Sequence, residues 1–190
     1  MIENDPVIEI FPSILDDQTV DWILSIENNG FRSGKIGQGD DQREDLDYRS
    51  VNAASINVYE QPKLVGMIRH FVDVLNCSHY CYDVSGINQI DVLHYTPGGR
   101  YNLHQDDAPF PERVKRKFSV IVQLTDPSEY TGGDLWIPMI DHKATDEQLT
   151  MRRGKGTVII FPSWLEHQIS PIESGERRSI VAWATGKGDR

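Results

Sequence analysis

The sequence predicts a mainly β domain with α-helices in its N-terminal portion, and three observations carry that prediction. From residue 86 onward, short apolar runs alternate with turn segments rich in Gly and Pro, a spacing typical of a β-sandwich or barrel. Before that point lie two stretches whose apolar residues recur at helical period. The chain is 190 residues long, which suits one domain, residues 1–190, better than two. Its N-terminal part, about 1–85, reads as an α/β support and about 86–185 as the β core.

Residues 7–11 read as a short strand. Asp16 or Asp17 caps a helix expected to run to about Asn28, with Val20, Ile23, Leu24 and Ile26 apolar and Gly30 beyond its end. The polar, Gly-containing stretch 30–49 reads as a loop, and 50–58 as a strand. Pro62 suits the first turn of a second helix, whose apolar stripe is Leu64, Val65, Ile68, Phe71, Val72 and Leu75. Strands follow at 87–95, 118–124, 135–140, 157–161 and 179–184. Turns such as Pro97-Gly98-Gly99, Gly132-Gly133 and Gly154-Lys155-Gly156 separate them. Both helices should pack on one face of the β structure.

Composition excludes several classes. No apolar run approaches the roughly 20 residues that cross a bilayer, and the acidic start Met1-Ile2-Glu3-Asn4-Asp5 lacks the pattern of a secretory signal. The expectation is a cytoplasmic protein with no membrane partner. The net charge of −10 repels phosphate backbones and disfavours nucleic acid. Much of that charge lies in residues 38–48, read as a solvated loop or as a lid over the site. Cys77 and Cys81 stand as a lone C-x₃-C pair, a poor zinc site, and read as reduced thiols.

Chemistry enters at Tyr101-Asn102-Leu103-His104-Gln105-Asp106-Asp107. On an extended strand, residues two apart share a face, so His104 and Asp106 project together. A third ligand is available from His167, which follows an apolar strand and the Pro162-Ser163 turn. Two imidazoles and a carboxylate on one octahedral face suit non-haem Fe(II). Arg177 lies ten residues beyond His167, with Ser179 on the same strand face; a buried guanidinium there would grip a dicarboxylate in bidentate fashion. Arg178 should point outward. Other candidates read as structural or solvated: His70, His79, His94 and His142 as ordinary histidines, Trp136 and Trp183 as core. Trp164 reads either as a wall of a substrate pocket or as core packing. Gly132-Gly133 has neither a following helix nor a Lys-Ser/Thr pair, so it is not a phosphate loop.

These motifs resemble the prolyl-4-hydroxylase-like branch of the 2-oxoglutarate/Fe(II) dioxygenases, including small phage-encoded members. The matching segments are Tyr95-Thr96-Pro97-Gly98-Gly99-Arg100-Tyr101-Asn102-Leu103-His104-Gln105-Asp106, Phe118–Leu124, Tyr130–Leu135 and Gly156–His167, continuing through Pro171, Gly175, Arg177, Ser179 and Trp183. The resemblance implies a double-stranded β-helix, or jelly roll, with the N-terminal helices on one sheet. It implies Fe(II) on His104, Asp106 and His167, and 2-oxoglutarate with its distal carboxylate on Arg177. Tyr95 and Tyr101 match aromatic positions flanking the first iron ligand, Tyr95 as a hydrogen-bonding partner of the co-substrate. Gln123 stands where several relatives place a tyrosine beside the distal carboxylate. Ascorbate is a candidate reductant, and a phage-encoded member would work in the host cytoplasm.

For the substrate, the resemblance puts a peptidyl proline first and a free amino acid or small metabolite second. A non-catalytic metal- or sugar-binding jelly roll is the reading from a different class. Asp106 leaves no ligand position vacant for chloride, which disfavours halogenation. A nucleobase demethylase is disfavoured because Trp183 stands where a second arginine is expected.

Overall fold

The computed structural model describes residues 6–36, 43–107 and 114–188. Thirteen strands occur in chain order among the described residues: β1 (Glu9–Phe11), β2 (Arg32–Ser33), β3 (Arg49–Ser50), β4 (Asn52–Ile56), β5 (Val84–Tyr95), β6 (Arg100–His104), β7 (Val114–Gln123), β8 (Tyr130–Gly132), β9 (Leu135–Trp136), β10 (Val158–Pro162), β11 (His167–Ile169), β12 (Ile172–Gly175) and β13 (Arg177–Lys187). Four helices join them: α1 (Asp17–Ser25), α2 (Pro62–Leu75), α3 (Pro138–Asp141) and α4 (Asp146–Met151). A seven-stranded major sheet has the order β1-β10-β7-β13-β5-β4-β2, and a four-stranded minor sheet the order β3-β6-β11-β9, with β12-β8 as a separate pair. Every pairing is antiparallel, giving the jelly-roll architecture the sequence predicts.

Alternation along the central strands of the major sheet divides the interior in two. On β13, Ile180, Ala182 and Ala184 join the cluster that includes Val20, Ile23, Leu64, Ile68, Val72 and Leu75 of the two long helices. Val181 and Trp183 belong to a second cluster, with Leu93 and Tyr95 of β5 and Ile121 of β7. Period-two geometry requires this division. Each buried aliphatic contributes roughly 1.5–3 kcal/mol relative to exposure. That burial holds α1, whose 9 residues are too few for a stable helix alone.

Asp16 caps α1, its carboxylate accepting the Thr19 N–H at 2.8 Å. The helix stops at Ser25, short of the predicted Asn28, and Leu24 is 40% exposed while Val20, Ile23 and Ile26 are buried. Pro62 starts α2, whose predicted stripe is buried except for Val65, which is half-buried. A π turn, Asn76–Tyr80, continues α2 and ends at Cys81 with φ +54°. Cys77 and Cys81 are free and exposed.

Three expectations are corrected by the backbone. The predicted strand 135–140 is only two residues long, because Pro138 begins a helical turn that Asp141 secures by accepting the Ile137 N–H at 2.6 Å. The strand expected over 50–58 ends at Ile56 and passes into a 3-10 turn, Val58–Glu60. The stretch 30–49 is not wholly loop, since β2 and β3 lie within it or at its end. Part of the acidic 38–48 segment lies outside the described residues, as does the lid reading that depends on it. From Arg43 onward the segment is tied down: Ile36 and Arg43 exchange backbone hydrogen bonds, and the Tyr48 hydroxyl donates to the Leu103 carbonyl at 2.6 Å.

Among the described residues, no helix is long and apolar enough to cross a membrane.

Candidate metal and dicarboxylate site

Antiparallel pairing of β6 with β11 sets His104 directly opposite His167. Their ring centroids are 4.2 Å apart. Asp106 lies two residues past His104, in a bend beyond the end of β6 and not on the strand itself. The bend is fixed by the Ser163 carbonyl, which accepts the N–H groups of both Asp106 and Asp107 at 2.9 and 3.0 Å. The turn that carries His167 thereby also positions Asp106. The three side chains can each offer one ligand atom, and these atoms all lie within 4.8 Å of one another.

Each imidazole is oriented by its own backbone. Nδ1 of His104 lies 2.7 Å from the Asn102 carbonyl, and Nδ1 of His167 lies 3.0 Å from the Leu165 carbonyl. A carbonyl can only accept, so Nδ1 carries the proton and Nε2 keeps its lone pair for the centre. Those Nε2 atoms approach the Asp106 carboxylate at 3.6 and 3.5 Å. The Ser119 hydroxyl donates to Asp106 Oδ2 at 2.7 Å and lies 3.0 Å from the Ser163 hydroxyl.

Burial opposes ionisation of Asp106, but the His167 and His104 imidazoles outweigh it and hold the carboxyl well below the usual carboxylate range. The Trp183 indole N–H, directed toward this carboxylate, adds to that lowering. Burial pushes His167 down to about 4, with His104 acting in the same direction and Asp106 against it. At neutral pH the cluster is therefore one carboxylate and, at His167, a neutral imidazole, the state in which these groups bind metal.

A cavity adjoins the three residues and reaches Arg177 and Ser179 on β13. Arg177 is 1% exposed, and its Nε and both Nη atoms have no hydrogen-bond partner among the described residues. A buried, unpaired guanidinium is costly, so its natural complement is an anion supplied from outside the chain. Tyr95, opposite Arg177 in the β5–β13 ladder, holds its ring centroid 5.3 Å from the guanidinium carbon. Burial raises the Tyr95 phenol pKa, while Arg177 and Arg49 lower it. Tyr101 stacks on His104 with centroids 3.5 Å apart, and burial pushes its pKa up to about 12. Leu93, Ile121 and Val181 supply apolar wall.

The structure brings His104, Asp106, His167, Arg177, Ser179, Tyr95 and Tyr101 to this cavity. Arg178 is exposed, as strand parity requires. Two residues that the sequence singles out sit elsewhere. Gln123 shares the inward parity of Ile121, yet it is not among the cavity-lining residues, and its amide donates to the Arg152 carbonyl at 3.0 Å. Trp164 packs half-buried against the second apolar cluster and does not line the cavity. Trp183, read as core, is buried in the second apolar cluster; it also lines the cavity and lies under the Arg116 guanidinium at 3.8 Å. His94 faces away from the site and pairs with Glu176 at 2.8 Å.

Sequence reasoning missed Arg49, Ser119 and Ser163. The two serines had a usable signal: Ser119 has the cavity-facing parity of β7, and Ser163 occupies the turn before His167. Arg49 had none, because it reaches the cavity only through the long-range pairing of β3 with β6.

Residues 90–185 match the family model described as the 2OG-Fe(II) oxygenase superfamily. A PKHD-type hydroxylase of Parvibaculum lavamentivorans is 35% identical over 89 residues, which are 47% of this chain and 38% of that protein. The chain thus spans well under half the length of the curated relatives it matches. Among solved structures, the viral collagen prolyl hydroxylase of Paramecium bursaria Chlorella virus-1, bound to 2OG, superimposes with a TM-score of 0.66 at 21% identity, covering 94% of this chain and 96% of that one. The alpha-ketoglutarate-dependent carbocyclase SnoK of nogalamycin biosynthesis does so with a TM-score of 0.67 at 14% identity, covering 96% and 80%. At such identities the superpositions establish the fold.

Proposed function

Because the chain belongs to the 2OG-Fe(II) oxygenase superfamily, we propose that it is a 2-oxoglutarate- and O₂-dependent hydroxylase using a His104–Asp106–His167 iron site. The observation that carries this reading is a buried guanidinium without an acceptor, Arg177, in the same cavity as a two-imidazole, one-carboxylate cluster. A dication and a dicarboxylate together complete that arrangement: nitrogen and oxygen donors suit Fe(II), and Arg177 is the complement of the distal carboxylate.

The chain's own groups have separable roles. His104, Asp106 and His167 would hold the metal, with both Nε2 atoms preset by the backbone carbonyls of Asn102 and Leu165. Arg177 would pair with the far end of 2-oxoglutarate, with the Ser179 hydroxyl and the Tyr95 phenol as further donors. Ser119 keeps Asp106 oriented. Leu93, Ile121 and Val181 limit water. When bound, the metal and 2-oxoglutarate supply the oxidising chemistry, which consumes O₂, releases succinate and CO₂, and converts a substrate C–H to C–OH.

A peptidyl proline is the first substrate to try, supported by the similarity to a PKHD-type hydroxylase and by the fold shared with a collagen prolyl hydroxylase. A carbocyclase superimposes equally well, so fold alone transfers no substrate. The test is an anaerobic titration with Fe(II) and 2-oxoglutarate, followed by substrate-dependent CO₂ release with and without ascorbate. Retained turnover in His167→Ala would reject the metal assignment.

A further inference from the structure

We propose that Arg49 is a substrate anchor that takes a free carboxylate, so that the chain acts on a carboxylate-bearing substrate and not on an internal peptide residue. The inference rests on the metal and 2-oxoglutarate reading above and narrows its substrate, keeping a peptidyl proline only where it ends a chain. Arg49 lines the same cavity as Arg177 but comes from the opposite layer, on the edge strand β3 of the minor sheet. Its guanidinium carbon lies 4.6 Å from the Tyr101 ring centroid, and Tyr101 in turn stacks on His104. Nη1 donates to the Lys35 carbonyl at 2.6 Å, which fixes the plane of the group. Nε is buried and has no partner, and among the described residues no carboxylate pairs with this arginine. Space is reserved for it: a Cβ at Gly34 would stand 3.0 Å from Arg49 Nε and 2.8 Å from Val51 Cγ1.

Charge balance turns this placement into a statement about substrate. Among the described residues, the ionised side chains lining the cavity are Arg49, Arg177 and Asp106. The dication and the 2-oxoglutarate dianion cancel, and Asp106 offsets one arginine. Arg49 is left over. An internal prolyl residue is neutral and leaves that cation without a counter-charge, whereas a carboxylate neutralises it and matches the flat guanidinium edge with two hydrogen bonds. A peptide carbonyl, with no charge, is the competing acceptor.

The experiment uses the full chain loaded with Zn(II) and 2-oxoglutarate, which is diamagnetic and inert to O₂. Ligand-observed NMR measures binding of a panel of N-acetyl amino acids beside their primary amides, and of Pro-ending tripeptides with free or amidated C-termini. Acids should be preferred over amides by at least about tenfold, since charge-assisted bidentate pairs are much stronger than neutral ones. Preference within the N-acetyl set identifies a small acid; preference confined to the tripeptides identifies a chain terminus. Arg49→Gln should bring the ratio near unity without loss of Zn(II) or 2-oxoglutarate binding, and Arg49→Lys should restore part of it. A purely structural role for Arg49 would weaken acids and amides alike. Equal binding of acids and amides, or binding by no acid in either set, overturns the proposal. Failure of 2-oxoglutarate to bind the Zn(II)-loaded protein overturns the reading beneath it instead.

Discussion

Strand β13 shows two unlike environments on its two faces. Its even positions, Ile180, Ala182 and Ala184, are buried in an apolar layer shared with the helices. Its odd positions, Arg177, Ser179, Val181 and Trp183, face a cavity in which a guanidinium lacks a partner among the described residues. One face spends its residues on stability, and the other holds a charged group that no described protein atom completes. Substitutions on the two faces should therefore have opposite signatures.

The largest effect is expected from Asp106→Ala, which should abolish binding of Fe(II), or of Mn(II) as a stand-in read by EPR, while circular dichroism stays native. Next is Phe118→Ala on the helix side, where a fully buried ring is lost. It should cost about 3–5 kcal/mol of stability in urea titration and leave metal affinity in the folded protein unchanged. Arg177→Met should cross the two properties. Calorimetry should show a loss of about 2–5 kcal/mol in 2-oxoglutarate binding. The ligand-free protein should gain stability, by about 1–4 kcal/mol, once a buried uncompensated charge is gone; a loss would mean that the guanidinium is already satisfied. Ser119→Ala should weaken metal binding by roughly 10-fold through a less well-held Asp106.

The same comparison extends to pH dependence. His167 is pushed down from 6.5 to about 4 by burial, so the unfolded chain binds its proton first on acidification. The metal-free protein should hold this stability above pH 6.5 and lose it as pH falls toward 4. Asp106, also lowered, should add a further loss below the ordinary carboxylate range. Urea midpoints that stay flat across that window would contradict the burial of a neutral imidazole.

The contrast between faces also explains what could be read in advance. Strand parity needs only the local sequence, so the outward Arg178 and the shared inward face of Arg177 and Ser179 were legible. His167 was found by its position after an apolar strand and a Pro-Ser turn. Where position depends on remote pairing, local reading fails. Arg49 sits at the end of a polar stretch and enters the cavity only because β3 pairs with β6. Gln123 has the correct parity, but α4 brings the Arg152 carbonyl to its amide. That helix had a visible signal, the Thr145-x-x-Gln148 capping box, hidden behind an expectation of strand and loop. Arg152 and Asp141 form a buried bidentate pair at 2.8 and 2.6 Å. Neither residue stands out in the sequence, because each looks like ordinary surface charge.

The facing of His104 and His167 across one rung of the β6–β11 ladder has a consequence for strand alignment. Side chains alternate at every step, so a slip of one residue in β11 would turn His167 outward and present Gln168 in its place. An ion clasped by both imidazoles would then lose one arm. Whatever occupies that centre acts as a rivet through two short strands, and loading it should slow amide exchange in the minor sheet before the major one responds.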